Sequence, residues 1–304
     1  MNSMERILVT GSTGFIGRAI AKELVDKGYE VHSCSRSGEA KTEEVYMHKA
    51  DLLDRSDVAR LIKTVKPALL IHTAWCSGHS TYWTDPANMD WVGANALLAR
   101  YFIEEGGQYA LFTGTSAEYD WSGNRPLKET DLASPGSVYG GAKYGSHVSL
   151  EQFFSHNKVE LGWVRLFNPF GPFEDERRLI PKLCNRLIRG ETIEFDAGLE
   201  KRDFLHVEDV AVAYRRILEE NVTGVINVGS GVTVAVRDVV SLIAEAAGCP
   251  DAIHFAAPDE GQSESVVVAD VSKLKQTTGW DPSQPFYKRI CQTVEWWRSK
   301  QKSK

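Results

Sequence analysis

The segment RILVTGSTGFIG, residues 6–17, constrains the fold of this chain more than any other. A short aliphatic run ends in a glycine turn, and a helical pattern begins where the turn closes. Glycines at 11, 14 and 17 leave bare backbone where a strand hands over to a helix, the place where a helix N-terminus attracts a diphosphate. Their spacing is GxxGxxG rather than GxGxxG. A strand running straight into such a turn predicts the first βα unit of a parallel sheet, with a dinucleotide at its mouth.

The first half of the chain repeats this alternation. EVHSC, VYMHK, ALLIHTAW, YALFTGTS and VELGWVRLF read as strands. Helices are expected up to Lys27, over Val58 to Val65, ending near Glu105, and from Ser137 to about His156. Strands and helices alternating at this pitch imply βαβ crossovers and an α/β, doubly wound parallel sheet of the Rossmann type. After Phe167 the pattern breaks into Pro and Gly punctuation (NPFGPF), a helix from Pro181 to Arg189, and shorter elements. The expected organisation is a dinucleotide-binding domain over residues 1–167 and a smaller, discontinuous substrate domain over 168–304, with a strand near 224–230 returning to the first.

Composition narrows the partners. A net charge of −6, with cations clustered only in the terminal RSKQKSK, gives no footprint for a nucleic acid. No apolar run approaches the roughly 20 residues of a membrane span, and the opening MNSMERILVTG lacks a secretory leader, so a cytoplasmic location is expected. The 5 cysteines are scattered without a CxxC pair, and the 8 histidines show no ligand spacing, so no metal is expected.

The second strand should end near Cys34, where an acidic residue would bind the ribose 2′-hydroxyl of NAD. Ser35 and Arg36 stand there instead, and a hydroxyl beside a guanidinium suits a 2′-phosphate, which favours NADP with NAD as the alternative. Asp51 and Leu52 follow the third strand, where they are placed to hold the adenine edge; Asp51 is equally suited to cap the next helix. The expected cofactor contacts are Gly11, Thr13, Gly14, Phe15, Ile16 and Gly17, then Ser35, Arg36, Asp51, Leu52, Thr73 and Ala74.

Tyr139 and Lys143 are four residues apart in an expected helix, so their side chains share a face. An ammonium beside a phenol favours the phenolate and moves its pKa of about 10 toward neutrality, which makes the tyrosine an acid–base group. Thr115, at the end of LFTGTSAEYD, offers a hydroxyl to polarise the reacting oxygen.

The glycine turn, Thr115, YGGAK, RLFNPFGP and RDFLHVEDV together resemble the extended short-chain dehydrogenase/reductases of the NAD-dependent epimerase/dehydratase family, which act on nucleotide sugars. The resemblance covers nearly the whole chain. It implies that Tyr139 is the acid–base, that Lys143 lowers its pKa and holds the nicotinamide ribose, and that Thr115 orients the substrate, with Ser116 as the alternative hydroxyl. By the same resemblance Asn168 lies near the sugar nucleotide and Arg202 contacts its phosphate or ribose; the plain reading of Arg202 is an ion pair with Asp203 or Asp209. It also implies a homodimer through the helices at 86–106 and 137–156.

Departures from the family pattern carry information. Ser116 and Ala117 stand where sugar dehydratases carry acids after the catalytic hydroxyl, which disfavours dehydration and leaves Glu118, one position later, as a minor candidate. The family's usual arginine before VVVAD is replaced by PDEGQSES, so Arg177 and Arg178 are candidates for the missing charge. Trp91 stands in place of a usual asparagine. Trp75, Tyr82, Trp83 and Trp121 fall on loops expected above the nicotinamide, and His79 on a loop bordering the substrate. With Trp75, His79, Ser116, Asn168, Arg178 and Arg202 as substrate contacts, the leading expectation is an NADPH-dependent reductase of a 4-keto nucleotide sugar. An NAD-dependent epimerase with tightly bound cofactor is the alternative, and a dinucleotide-binding sensor or scaffold the non-enzymatic one.

Overall fold

A computed structural model describes residues 6–39, 44–76, 81–258 and 265–302. Its centre is a seven-stranded sheet, every pairing of which is parallel. The first half of the chain supplies β1 (Arg6–Thr10), α1 (Phe15–Asp26), β2 (Glu30–Ser35), β3 (Tyr46–Lys49), α2 (Arg55–Val65) and β4 (Leu69–His72). Then follow α3 (Ala87–Glu104), β5 (Tyr109–Thr115), α4 (Val138–His156) and β6 (Glu160–Leu166).

Beyond Phe167 come β7 (Pro169–Phe170), α5 (Leu179–Ile188), β8 (Ile193–Phe195), β9 (Lys201–Arg202), β10 (Leu205–His206) and α6 (Val207–Glu219). The chain closes with β11 (Gly224–Val228), β12 (Val234–Ala235), α7 (Val236–Ala247), β13 (Ile253–Phe255), β14 (Val266–Val267), α8 (Ser272–Thr278) and α9 (Phe286–Lys302). Strand order in the main sheet is β11-β6-β5-β4-β1-β2-β3, so β11 pairs with β6 from deep in the second half. The order reverses at β1, and the carboxyl ends of β1 and β4 flank a crevice there, the usual ligand position in an open α/β sheet.

Burial on both faces explains the near-continuous apolar strands. Within β1, Ile7 and Val9 join a cluster with Ile20 and Leu24 of α1 and Val210 and Tyr214 of α6, whereas Leu8 joins one with Val58 and Ile62 of α2 and Leu98 of α3. A third cluster joins α5, α7 and α9 under the short strands of the second half. Helix boundaries follow capping chemistry. Ser137 accepts from the Gly140 N–H at the start of α4. Asp54, rather than Asp51, caps α2 by accepting from the Asp57 N–H. The reason is reach: Asp51 lies three residues too early, and its carboxylate takes the Leu53 N–H instead.

Candidate active site

The carboxyl edge of the sheet gathers the chemistry. The Gly11–Gly17 turn leaves β1, Ser35 and Arg36 end β2, Asp51 and Leu52 follow β3, Thr73 and Ala74 follow β4, Thr115 ends β5 and Asn168 follows β6. At the turn, Gly11 has φ +76, and a Cβ there would meet Thr73 Oγ1 at 2.7 Å and the Ala74 nitrogen at 2.9 Å. At Gly17 a Cβ would stand 2.3 Å from the Gly11 carbonyl oxygen, so α1 could not pack so close to its strand with any other residue. Gly14 begins α1 with no side-chain cap, which leaves the first N–H groups of the helix to an outside acceptor. These features fit a dinucleotide diphosphate, held by the turn backbone beside Thr13, Phe15 and Ile16. Ser35 Oγ accepts from the Gly38 N–H, and Arg36 is exposed beside it.

Tyr139 and Lys143 lie in the first turns of α4, with Thr115 against the tyrosine at the end of β5. The Thr115 side chain lies close enough to the Tyr139 phenol to draw its pKa down. Lys143 is 3% exposed; its Nζ donates to the Thr113 carbonyl at 2.7 Å and sits 3.8 Å from the centre of the Trp75 ring. Burial pulls its ammonium down to about 7. Burial likewise pushes the Tyr139 phenol above its ordinary range, against the pull of Thr115 and Arg178. This departs from the expected ammonium-assisted phenolate. The Lys143 ammonium is directed at the Thr113 carbonyl and the Trp75 indole rather than at the phenol.

An aromatic wall surrounds the tyrosine. Tyr82 and Trp83 meet its ring edge-on at 5.0 and 5.7 Å, Trp75 does so at 6.5 Å, and Trp121 packs across Trp83 at 6.1 Å. Such pairs contribute about 0.5–1.5 kcal/mol each beyond burial. Trp75 is fixed by its indole N–H donating to Asn88 Oδ1 at 2.8 Å and by Trp91 stacked 6.0 Å away. Trp91 therefore braces Trp75.

Below the site lies a buried pair that sequence reasoning assigned differently. Glu118 is 0% exposed; its carboxylate accepts from the Thr115 N–H at 2.9 Å, from Trp163 Nε1 at 3.1 Å and from Arg165 Nε at 2.9 Å. Its minor candidacy as a reacting acid is thereby corrected: it closes a capping box that fixes Thr115. Ser116 opens the 3-10 turn Ser116–Glu118, and it is Thr115 whose side chain reaches Tyr139.

A cleft of 280 Å³, linked to Tyr139 through the Tyr82 ring under Arg178, is lined by Asn168, Glu174, Arg178, Arg202 and the apolar walls of Phe170, Phe204, Leu179 and Ile180. Three of the expected substrate contacts, Asn168, Arg178 and Arg202, thus meet. Asn168 Nδ2 donates to the Asp203 carbonyl at 3.1 Å, and Arg202 Nη1 donates to the Ser265 carbonyl at 2.8 Å. Neither expected acid pairs with Arg202: Asp203 is taken by Ser230, Gly231 and Ala269, and Asp209 by Arg289 and Ser283. Arg178 stands over the Tyr82 ring at 5.4 Å, with its guanidinium hydrogen-bonded to the Tyr82 hydroxyl. Arg177 instead forms an exposed pair with Asp175 at 2.6 Å, so it adds no free charge to the cleft. His79 lies outside the described residues. Glu174 escaped the sequence reading, whose one available signal was an acid set among arginines in a Pro and Gly loop.

A crevice at the strand reversal, a glycine cradle and a Thr–Tyr–Lys set define a dinucleotide-dependent enzyme site, and the chain belongs to the NAD dependent epimerase/dehydratase family, whose model matches residues 7–229. The UDP-glucose 4-epimerase of Mycolicibacterium smegmatis is 27% identical, over 97% of this chain and 99% of its own. The UDP-glucose 4-epimerase of Thermotoga maritima, solved with UDP-glucose, has a TM-score of 0.86 at 25% identity, over 97% of this chain and 99% of its own. That of Thermus thermophilus, solved with NAD, has a TM-score of 0.85 at 26% identity, over 96% and 99%. These likenesses favour the epimerase alternative over the reductase. Among the described residues no helix is long and apolar enough to cross a membrane, and no group of His, Cys, Asp and Glu is arranged to hold a metal ion.

Proposed function

We propose that this chain is an NAD-dependent epimerase of a nucleotide sugar, oxidising a ring carbinol and reducing it again from the other face. The observation that carries the reading is the position of Tyr139, whose phenol feels Thr115 and whose ring meets Trp75, next in sequence to the Ala74 that abuts the glycine cradle, and Tyr82, over which Arg178 of the cleft stands. The full-length likeness to UDP-glucose 4-epimerases makes UDP-glucose the first substrate to test, with reaction at C4.

When bound at the glycine cradle, the nicotinamide supplies a reversible two-electron acceptor. Gly11, Gly14 and Gly17 would hold the dinucleotide diphosphate and Lys143 its nicotinamide ribose. Tyr139 takes the proton of the sugar hydroxyl on oxidation and returns it on reduction, while Thr115 fixes the oxygen by hydrogen bonding. Asn168, Arg178 and Arg202 grip the nucleotide end, leaving the sugar free to turn. Dehydration lacks its acid, since Ser116 and Ala117 stand after Thr115 and Glu118 is locked to Arg165.

The test uses purified protein, UDP-glucose and no added cofactor. UDP-galactose should form without net change in the reduced-nicotinamide absorbance band. Stoichiometric NADPH consumption on a 4-keto nucleotide sugar, without such interconversion, would contradict the reading.

A second reading, the NADPH-dependent reductase, is favoured by Ser35 and Arg36 at the end of β2, with Arg36 exposed. If it holds, Arg36→Ser should weaken NADP binding by about tenfold and leave NAD unaffected, since hydrogen bonds to charged groups contribute roughly 1.5–3 kcal/mol.

A further inference from the structure

The cleft beside Tyr139 has the makings of an anion site, yet an acid stands in its wall. Arg178 and Arg202 line it, and the first residues of α5, Leu179 and Ile180, turn the N-terminus of that ten-residue helix toward it. Glu174 lines it too, only 8% exposed, and its Oε2 has no hydrogen-bond partner. An ionised carboxylate there would repel the phosphates the arginines attract, and its lone pairs would face theirs. A protonated carboxyl would instead offer an O–H donor.

The surroundings favour the protonated form. Burial pushes the carboxyl up to about 8, and Asp175 on the same loop adds to that, against the pull of Arg178 and of a backbone hydrogen bond from Gly171. Cys184 of α5 also bears on it, its thiol being pushed up mainly by burial and in part by Glu174. Arg202 of β9 is the further charge in the cleft wall. An incoming phosphate adds negative charge and deepens the preference for the acid.

We propose that Glu174 is a diphosphate-binding residue that works as a neutral carboxylic acid, its O–H donating to a phosphoryl oxygen in the cleft with Arg178. This rests on the reading of the cleft as the nucleotide-diphosphate site. Nothing in the sugar chemistry requires it, so it concerns binding alone.

The experiment is titration calorimetry of UDP and dTDP into the full chain, for the wild type, Glu174→Gln and Glu174→Ala, from pH 7 to 9. Wild-type affinity should fall about tenfold across that range as the competent protonated fraction falls, with net proton uptake near pH 8. Glu174→Gln keeps an N–H donor and should stay within about twofold of the wild type at pH 7 while losing the pH dependence. Glu174→Ala should bind about five- to tenfold more weakly at pH 7 and also be flat. Melting curves report folding, and if the alanine variant unfolds, the glutamine comparison decides alone. Identical pH dependence in the wild type and Glu174→Gln would overturn the proposal, as would a glutamine variant that binds tenfold tighter at pH 7. Failure of the wild type to bind either nucleotide at any pH would remove the diphosphate reading of the cleft, and this proposal with it.

Discussion

Tyr139 stands between two walls built by different means. On the cofactor side the chain uses backbone: Gly11, Gly14 and Gly17 fall within seven residues of sequence, and steric exclusion alone shapes the cradle. On the cleft side it uses side chains carried on β7, the loop before α5, the start of α5, β9 and the start of α7, drawn together from Asn168 to Val236. A wall of consecutive backbone tolerates almost no substitution, whereas a wall of dispersed side chains can be retuned one residue at a time.

The largest expected effect falls where the walls meet. Tyr139→Phe should cut turnover by about 10²- to 10⁴-fold, while NAD and UDP affinities each stay within about twofold. Steady-state rates with direct binding measurements check this, and full activity would take Tyr139 out of the mechanism. On the cleft side alone, Arg178→Met should weaken UDP by about 10- to 100-fold with NAD binding unchanged. Arg177→Met is its control and should change little, because its partner Asp175 lies at the surface. On the cofactor side alone, Gly17→Ala forces a Cβ against the Gly11 carbonyl and should lower stability by about 1–3 kcal/mol together with NAD affinity, sparing UDP. If Gly17→Ala weakened both ligands equally, the two walls would not be independent.

A separate, pH-dependent effect concerns Lys143. Its folded pKa of about 7 lies below the ordinary 10.5, so between these values the unfolded chain binds more protons and stability rises with pH. Lys143→Met should flatten that rise in denaturant midpoints measured from pH 7 to 10.

The sequence made much of this legible, and unevenly. The strand and helix alternation foretold the parallel sheet because burial on both faces forces apolar strands, and Ser137 marked the start of α4 through its capping hydroxyl. Tyr139, Lys143 and Thr115 were legible as residues, but the direction of the Lys143 charge was not, since spacing says nothing of the Thr113 carbonyl or the Trp75 face that receive it. Glu118 illustrates the limit well. Its partners Trp163 and Arg165 lie on β6, about 45 residues away, so only the folded sheet shows that it is sealed beneath Thr115. Asn168 and Arg202 came from family likeness and Arg178 from a departure from it, and their meeting in one cleft depends on packing that no local pattern encodes.

The fate of the hydrogen at C4 tests the epimerase mechanism most directly. Purified protein would be incubated with UDP-glucose deuterated at C4, without added nicotinamide, and the UDP-galactose formed would be analysed by mass spectrometry and NMR. Retention of deuterium at C4 of the product, with no reduced nicotinamide accumulating, is the predicted result. Loss of the label to solvent, or no interconversion unless NADPH is supplied, would contradict it.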